Sequence, residues 1–259
     1  MKLYRVNALL LKYWYMSVNN IDRFFDIFYW PLIGIIVFGF TAGFIKDISN
    51  LPEILVFLLG GMILWTLIER VQQDVTIYVL HDFWSHNLAN SFVTPVKESE
   101  IFVSICIVGL IRSFLTFLVM AGFALVGYKF NLITGGFASL LFIPPLFIFG
   151  WGLGIFISGL IFKYGLRVQI FAWSISFLLQ PLAAVYYPIT VLPLILQKIA
   201  YYFPLVYVFE GFRMAYAGAL NYSYLAAAYG LSVLYMIIGY IVFSISIKSA
   251  KKTGELVKY

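Results

Sequence analysis

Glu69, Arg70, Gln72, Gln73 and Asp74 interrupt one long apolar run of the chain, and Arg112 sits alone inside another. Ionisable groups in such runs are costly, face a bundle interior or an aqueous cavity, and either pair or mark a path for ions or substrate. Counting inward from Pro52 and from Lys129 places Glu69 and Arg112 each about 17 residues deep, roughly 26 Å at helical rise. The spacing therefore predicts a Glu69–Arg112 pair, which either braces two helices or lines the inner mouth of a path together with Arg70 and Gln73. Glu210 and Arg213, at i and i+3, form a second pair just after a proline-broken apolar stretch, where a structural lock is expected. Asp82 and His86, at i and i+4 with His81 adjacent, have metal-ligand character. However, His81 and Asp82 point about 100° apart on a helix, the chain has only these two histidines, and no H-E-x-x-H stretch occurs. No metal site or catalytic residue is assigned. A G-x-x-x-x-G-K-[ST] phosphate loop is also missing from the sequence, so any ATP used must be bound elsewhere.

These residues need a frame, and composition sets its type. Apolar residues are 63% of the chain and charged ones 11%, which excludes soluble and disordered classes and predicts an all-α integral membrane protein forming one domain over 1–259. Runs of about 20 apolar residues, the length that crosses a bilayer, fall near 27–45, 51–77, 99–127, 136–161, 168–187 and 221–247, predicting six transmembrane helices. Continuous runs of this kind do not fit a membrane barrel, whose strands alternate. In residues 1–19, Leu3, Val6, Leu10, Tyr13 and Trp14 recur at helical spacing, with Arg5 and Lys12 on another face. That pattern predicts an interfacial amphipathic helix. No cleaved signal peptide is read at the N-terminus. The positive-inside rule places both termini in the cytoplasm, with Lys97, Lys163 and Arg167 inside and Lys46, Lys129, Lys198 and Arg213 outside. The net charge of +6 is thus spent on topology, and no nucleic-acid partner is expected. Gly39 with Gly43, and Gly150 with Gly154 and Ser158, recur every four residues, which predicts close packing within the chain. Cys106, the only cysteine, is expected to be a packing residue.

Two segments carry the functional reading. Between Val185 and Arg213, Pro188, Pro193 and Pro204 forbid one continuous helix, yet the stretch is too apolar for an ordinary loop. Irregular backbone at membrane depth must be buried in protein or meet a water-filled cavity. A re-entrant helical pair over 188–213, before the last span, is therefore expected to roof a pathway, with Tyr186 and Tyr187 as gate residues beside Tyr201, Tyr202 and Tyr207. The second segment, 81–97, connects the second and third runs; a short helix from about Phe83 to Phe92, ended before Thr94-Pro95, is expected to project into the cytoplasm.

In order along the chain, Thr94-Pro95 with Glu100, then Tyr187-Pro188, Leu192-Pro193, Phe203-Pro204-Leu205 and Glu210-Gly211-Phe212-Arg213 resemble the permease subunits of ATP-binding-cassette type-2 exporters. The resemblance covers nearly the whole chain. It implies a transport subunit that is not itself an enzyme, sits in the cytoplasmic membrane of a prokaryote, and pairs with a second permease copy or paralogue. Separate ATPase subunits would bind ATP and Mg. It also implies that Phe83, Trp84, His86, Asn87, Leu88, Thr94 and Pro95 contact the ATPase, although the Gly-Thr-x-Glu stretch of many members is replaced here by His86, Asn87, Leu88 and Ala89. Drugs, lipids and lipid-linked glycans are the substrate classes implied. The rival readings are a membrane enzyme acting on lipid through His81, Asp82 and His86, and an ion-coupled transporter or channel using Glu69 and Arg112.

Overall fold

A chain this apolar satisfies its backbone polar groups internally, and helices do so within a single segment. The computed structural model describes residues 2–19, 21–49, 54–85, 96–134 and 136–253, and among these there is no strand. The α-helices are α1 Leu3–Val18, α2 Ile21–Asp26, α3 Tyr29–Ser49, α4 Gly61–Trp84, α5 Glu98–Tyr128, α6 Ile143–Tyr164, α7 Phe171–Leu179, α8 Leu194–Ala200, α9 Pro204–Tyr216 and α10 Tyr222–Thr253. A π-helical turn, Val56–Gly60, runs directly into α4, and a 3₁₀ turn, Phe137–Phe142, into α6. Among the described residues, four stretches are long and apolar enough to cross a membrane: Tyr29–Ile48, Glu98–Tyr128, Phe137–Val168 and Tyr222–Ala250. The protein is therefore a helical, multi-pass membrane protein.

The other two expected spans differ. Within the run at 51–77, residues 54–77 are helical and continue to Trp84, but the helix carries Glu69, Arg70, Asp74 and Asp82 and is the most enclosed element of the bundle. The run at 168–187 yields only the nine residues of α7 before turns begin at Gln180. Nine residues rise about 14 Å, less than half of a roughly 30 Å hydrocarbon core. Pro181 lacks a backbone donor, and counting apolar residues alone overlooks that break.

Small residues bring α6, α4 and α10 together. A Cβ at Gly154 would lie 2.7 Å from the Gln72 carbonyl oxygen on α4, and one at Gly239 would lie 2.2 Å from the Gly152 carbonyl oxygen. Packing within the chain accounts for the Gly150, Gly154 and Ser158 series. Gly39 packs under the Tyr128 ring, whereas a Cβ at Gly43 would meet nothing within 4 Å. Around α4 the core forms two clusters, one centred on Trp65, Phe142, Phe209 and Phe212, the other on Tyr78, Phe83, Phe162 and Phe243. Cys106 is buried and free.

Candidate functional site

Ion pairs line α4 from its middle to its C-terminal end. Near the middle, Asp26 pairs with Arg70, and Asp74 with Arg112 across 3.3 Å. Arg112 Nη1 also donates to Ser17 Oγ at 3.1 Å and to the Tyr78 hydroxyl at 3.4 Å. Ser17 and Tyr78 share a short hydroxyl contact. Asp26, Arg70, Asp74, Tyr78 and Arg112 line a cavity of about 30 Å³ together with Gln73, room for about one water molecule. The two acids and two bases balance.

The expected Glu69–Arg112 pair is not formed: Arg112 takes Asp74, five residues further along α4. Counting depth from a shared plane assumes upright helices of similar length. Helix α5 has 31 residues, about 46 Å at helical rise, so it overruns the hydrocarbon core and must tilt or protrude. Glu69 is instead buried beside Trp65, one turn earlier, whose indole N–H interacts with its carboxylate.

Helix α1 is tied to this end of the bundle. Lys12 Nζ donates to both Asp82 oxygens at 2.8 and 2.9 Å. Glu100 accepts the backbone N–H groups of Lys2 at 2.8 Å and Lys97 at 2.9 Å, with Arg5 3.8 Å away. Val6, Tyr13 and Ser17 are buried against the protein, while Leu3, Leu11 and Trp14 face outward. The helix is thus apolar on two faces, and its basic residues turn inward to carboxylates instead of facing water. Burial first, then the charge of Asp82 and the neighbouring Tyr78, raise the Tyr13 phenol well above its ordinary pKa, so it stays neutral. Sequence periodicity found α1 but missed its partners Asp82 and Glu100, because they lie 70 and 98 residues away. The one available signal was an excess of basic residues in 1–19 facing acidic residues near 82 and 100.

Phe83 and Trp84 close α4 and do not begin a separate helix. Phe83 is buried against Phe162. Trp84 is 44% exposed, donates from Nε1 to Gln169 Oε1 at 3.1 Å and stacks near Trp173. His86, Asn87, Leu88, Thr94 and Pro95 lie outside the described residues. Asp82 is committed to Lys12, and among the described residues no three His, Cys, Asp or Glu side chains cluster as metal ligands.

At the other end of α4 lies the proline-broken segment. Pro188 precedes a 3₁₀ turn, Ile189–Val191, Pro193 N-caps α8, and Pro204 occupies the first turn of α9, where a missing N–H costs nothing. Arg213 holds the segment in place. It pairs with Glu210 at 3.0 Å and donates to the carbonyl oxygens of Ala184 at 3.1 Å, Val185 at 3.3 Å and Tyr187 at 3.4 Å. Glu210 Oε1 in turn accepts the Ile189 N–H at 2.8 Å. The guanidinium lies over the Phe57 ring, 4.6 Å from its centroid. Gly61 admits the segment against α4, since a Cβ there would sit 2.5 Å from the Val185 carbonyl oxygen. Tyr186 stacks on Phe38 and receives a hydrogen bond from Gln180 at 3.2 Å; Tyr187 donates to the Pro181 carbonyl at 2.6 Å. The Glu210–Arg213 lock is present.

The Gly61 and Trp84 ends are 23 residues apart on one helix, about 35 Å at helical rise. One enclosed element therefore joins the proline-broken segment to the α1 anchor. No protein-family model matches the chain, and no curated protein shows significant similarity to it.

Proposed function

We propose that this chain is the transmembrane subunit of an ATP-driven exporter that moves an amphipathic, lipid or glycan-type substrate outward across the cytoplasmic membrane, paired with a second permease and with separate ATPase chains. The observation that carries the reading is the continuity of α4: its Gly61 end packs under the arginine-locked segment, and its Trp84 end presents an exposed indole beside the α1 anchor. Such a helix can pass a displacement at one membrane face to the other as a rigid body, about 35 Å away. In this reading the 54–84 helical run and the stretch from α7 to α9 complete six passes, and α8 with α9 forms the re-entrant roof. The buried Glu69 carboxylate and the Trp65 indole N–H beside it offer a polar substrate group hydrogen bonds in the N-terminal half of α4. Tyr186, next to Met62 on the same helix, closes the path above them.

Purification of the tagged chain from its native membrane in mild detergent tests this. A second chain bearing a phosphate loop and ATPase activity should co-purify, and Trp84→Asp should lower its recovery about tenfold, equivalent to ~1.4 kcal/mol of association, without reducing membrane insertion. Recovery of the chain without any nucleotide-binding partner would defeat the proposal.

A further inference from the structure

Two cavities meet at the C-terminal end of α5, and neither belongs to the α4 axis. The first is an apolar groove of about 770 Å³ between α5 and α6, walled by Leu110, Phe114, Leu118, Leu125, Phe147 and Trp151. From Leu110 to Leu125 it follows α5 for about 22 Å at helical rise, longer than the roughly 15 Å depth of one leaflet. Both walls are membrane-crossing helices. The second cavity, about 560 Å³, holds Lys129, Arg213, Phe57 and Tyr216. Phe130 lines both.

Among the described residues, the charge at this junction is uncompensated. Lys129 caps α5 in the left-handed conformation at φ 56°, is exposed, and has no carboxylate partner among the described residues. Arg213 is nine-tenths buried, and its Nε carries a hydrogen with no acceptor. Glu210 balances only one of these two cations. We propose that this is a binding site for an anionic membrane lipid, with an acyl tail in the α5/α6 groove and its phosphate beside Lys129 and Arg213. A second copy of this chain would cover the apolar groove but would leave the cationic pocket unmatched, and a zwitterionic lipid would bring its own ammonium into a pocket that already carries an excess cation. The site requires only membrane insertion and is independent of the exporter reading, so either can fail alone.

The test is native mass spectrometry of the chain released from vesicles of equimolar phosphatidylglycerol and phosphatidylcholine. The expected result is retained phosphatidylglycerol in preference to phosphatidylcholine. Lys129→Asn, which keeps a residue tolerant of the left-handed conformation, should cut that preference about fivefold, the effect of one cation near a membrane surface. Lys198→Asn should leave it intact. Gly122 lines the groove and a Cβ there would meet nothing within 4 Å, so Gly122→Trp directs its ring into the groove and should reduce retention of both lipids. The proposal is overturned if the preference survives Lys129→Asn, if Lys198→Asn lowers it equally, or if Gly122→Trp changes nothing.

Discussion

Arg112 and Arg213 face the same difficulty, a guanidinium removed from water, and solve it with different acceptors. Arg112 relies on Asp74 and two hydroxyls, whereas Arg213 relies on Glu210 and a fan of backbone carbonyls. Breaking a buried pair by removing one partner leaves an uncompensated charge, at a cost of about 3–5 kcal/mol. Asp74→Ala should therefore destabilise the protein by about that amount in denaturant unfolding from mixed micelles, while Glu69→Gln should cost less than about 1 kcal/mol because Glu69 has no ion pair to lose. A larger effect at Glu69 than at Asp74 would refute the observed pairing. At the other site, the planar fork of Arg213 reaches three carbonyls that an ammonium cannot reach together. Arg213→Lys should cost about 2 kcal/mol, the scale of a charged hydrogen bond, and should hasten thiol labelling of Thr190→Cys. An unchanged labelling rate would show that the lock does not hold this segment.

Helices were legible where one physical signal governs them. Apolar length located α3 and α5 to within four residues and α6 and α10 to within seven, and prolines located the breaks around α8 and α9. Helix α7 was overestimated because Pro181 ended a run that hydropathy alone would extend. The ends of α4 were obscured for another reason: its polar residues find partners on α1, α2, α5 and α7, as in the Gln72 amide donating to the Ala172 carbonyl at 3.1 Å and accepting from Ser176 at 2.7 Å. No local spacing encodes such partners. Glycines give an element-level test. Gly230→Ala adds a methyl where nothing lies within 4 Å and should stabilise α10 by about 0.5–1 kcal/mol through helix propensity. Gly239→Ala drives the same methyl into the Gly152 carbonyl and should destabilise by about 1–3 kcal/mol. Equal effects in an unfolding titration would contradict the close α6–α10 approach.

At the scale of the whole molecule, α4 runs between two anchored regions, the α1 clamp formed by Lys12, Asp82 and Glu100 and the segment held by Arg213. Membrane class could be read from composition, and the two polar ends from charge placement. What α4 would transmit between them could not, because in the exporter reading it depends on separate chains at the Trp84 end. The exporter account requires Thr190, which is exposed on the locked segment, to face the outside and to respond to nucleotide bound on the opposite side. The direct measurement is labelling of Thr190→Cys in a Cys106→Ser background by an impermeant thiol reagent, on membranes containing the chain and its ATPase, with and without ATP and vanadate. The account predicts labelling from the outside at a rate that changes when nucleotide is trapped; labelling only from the cytoplasmic side, or at a rate indifferent to nucleotide, would contradict it.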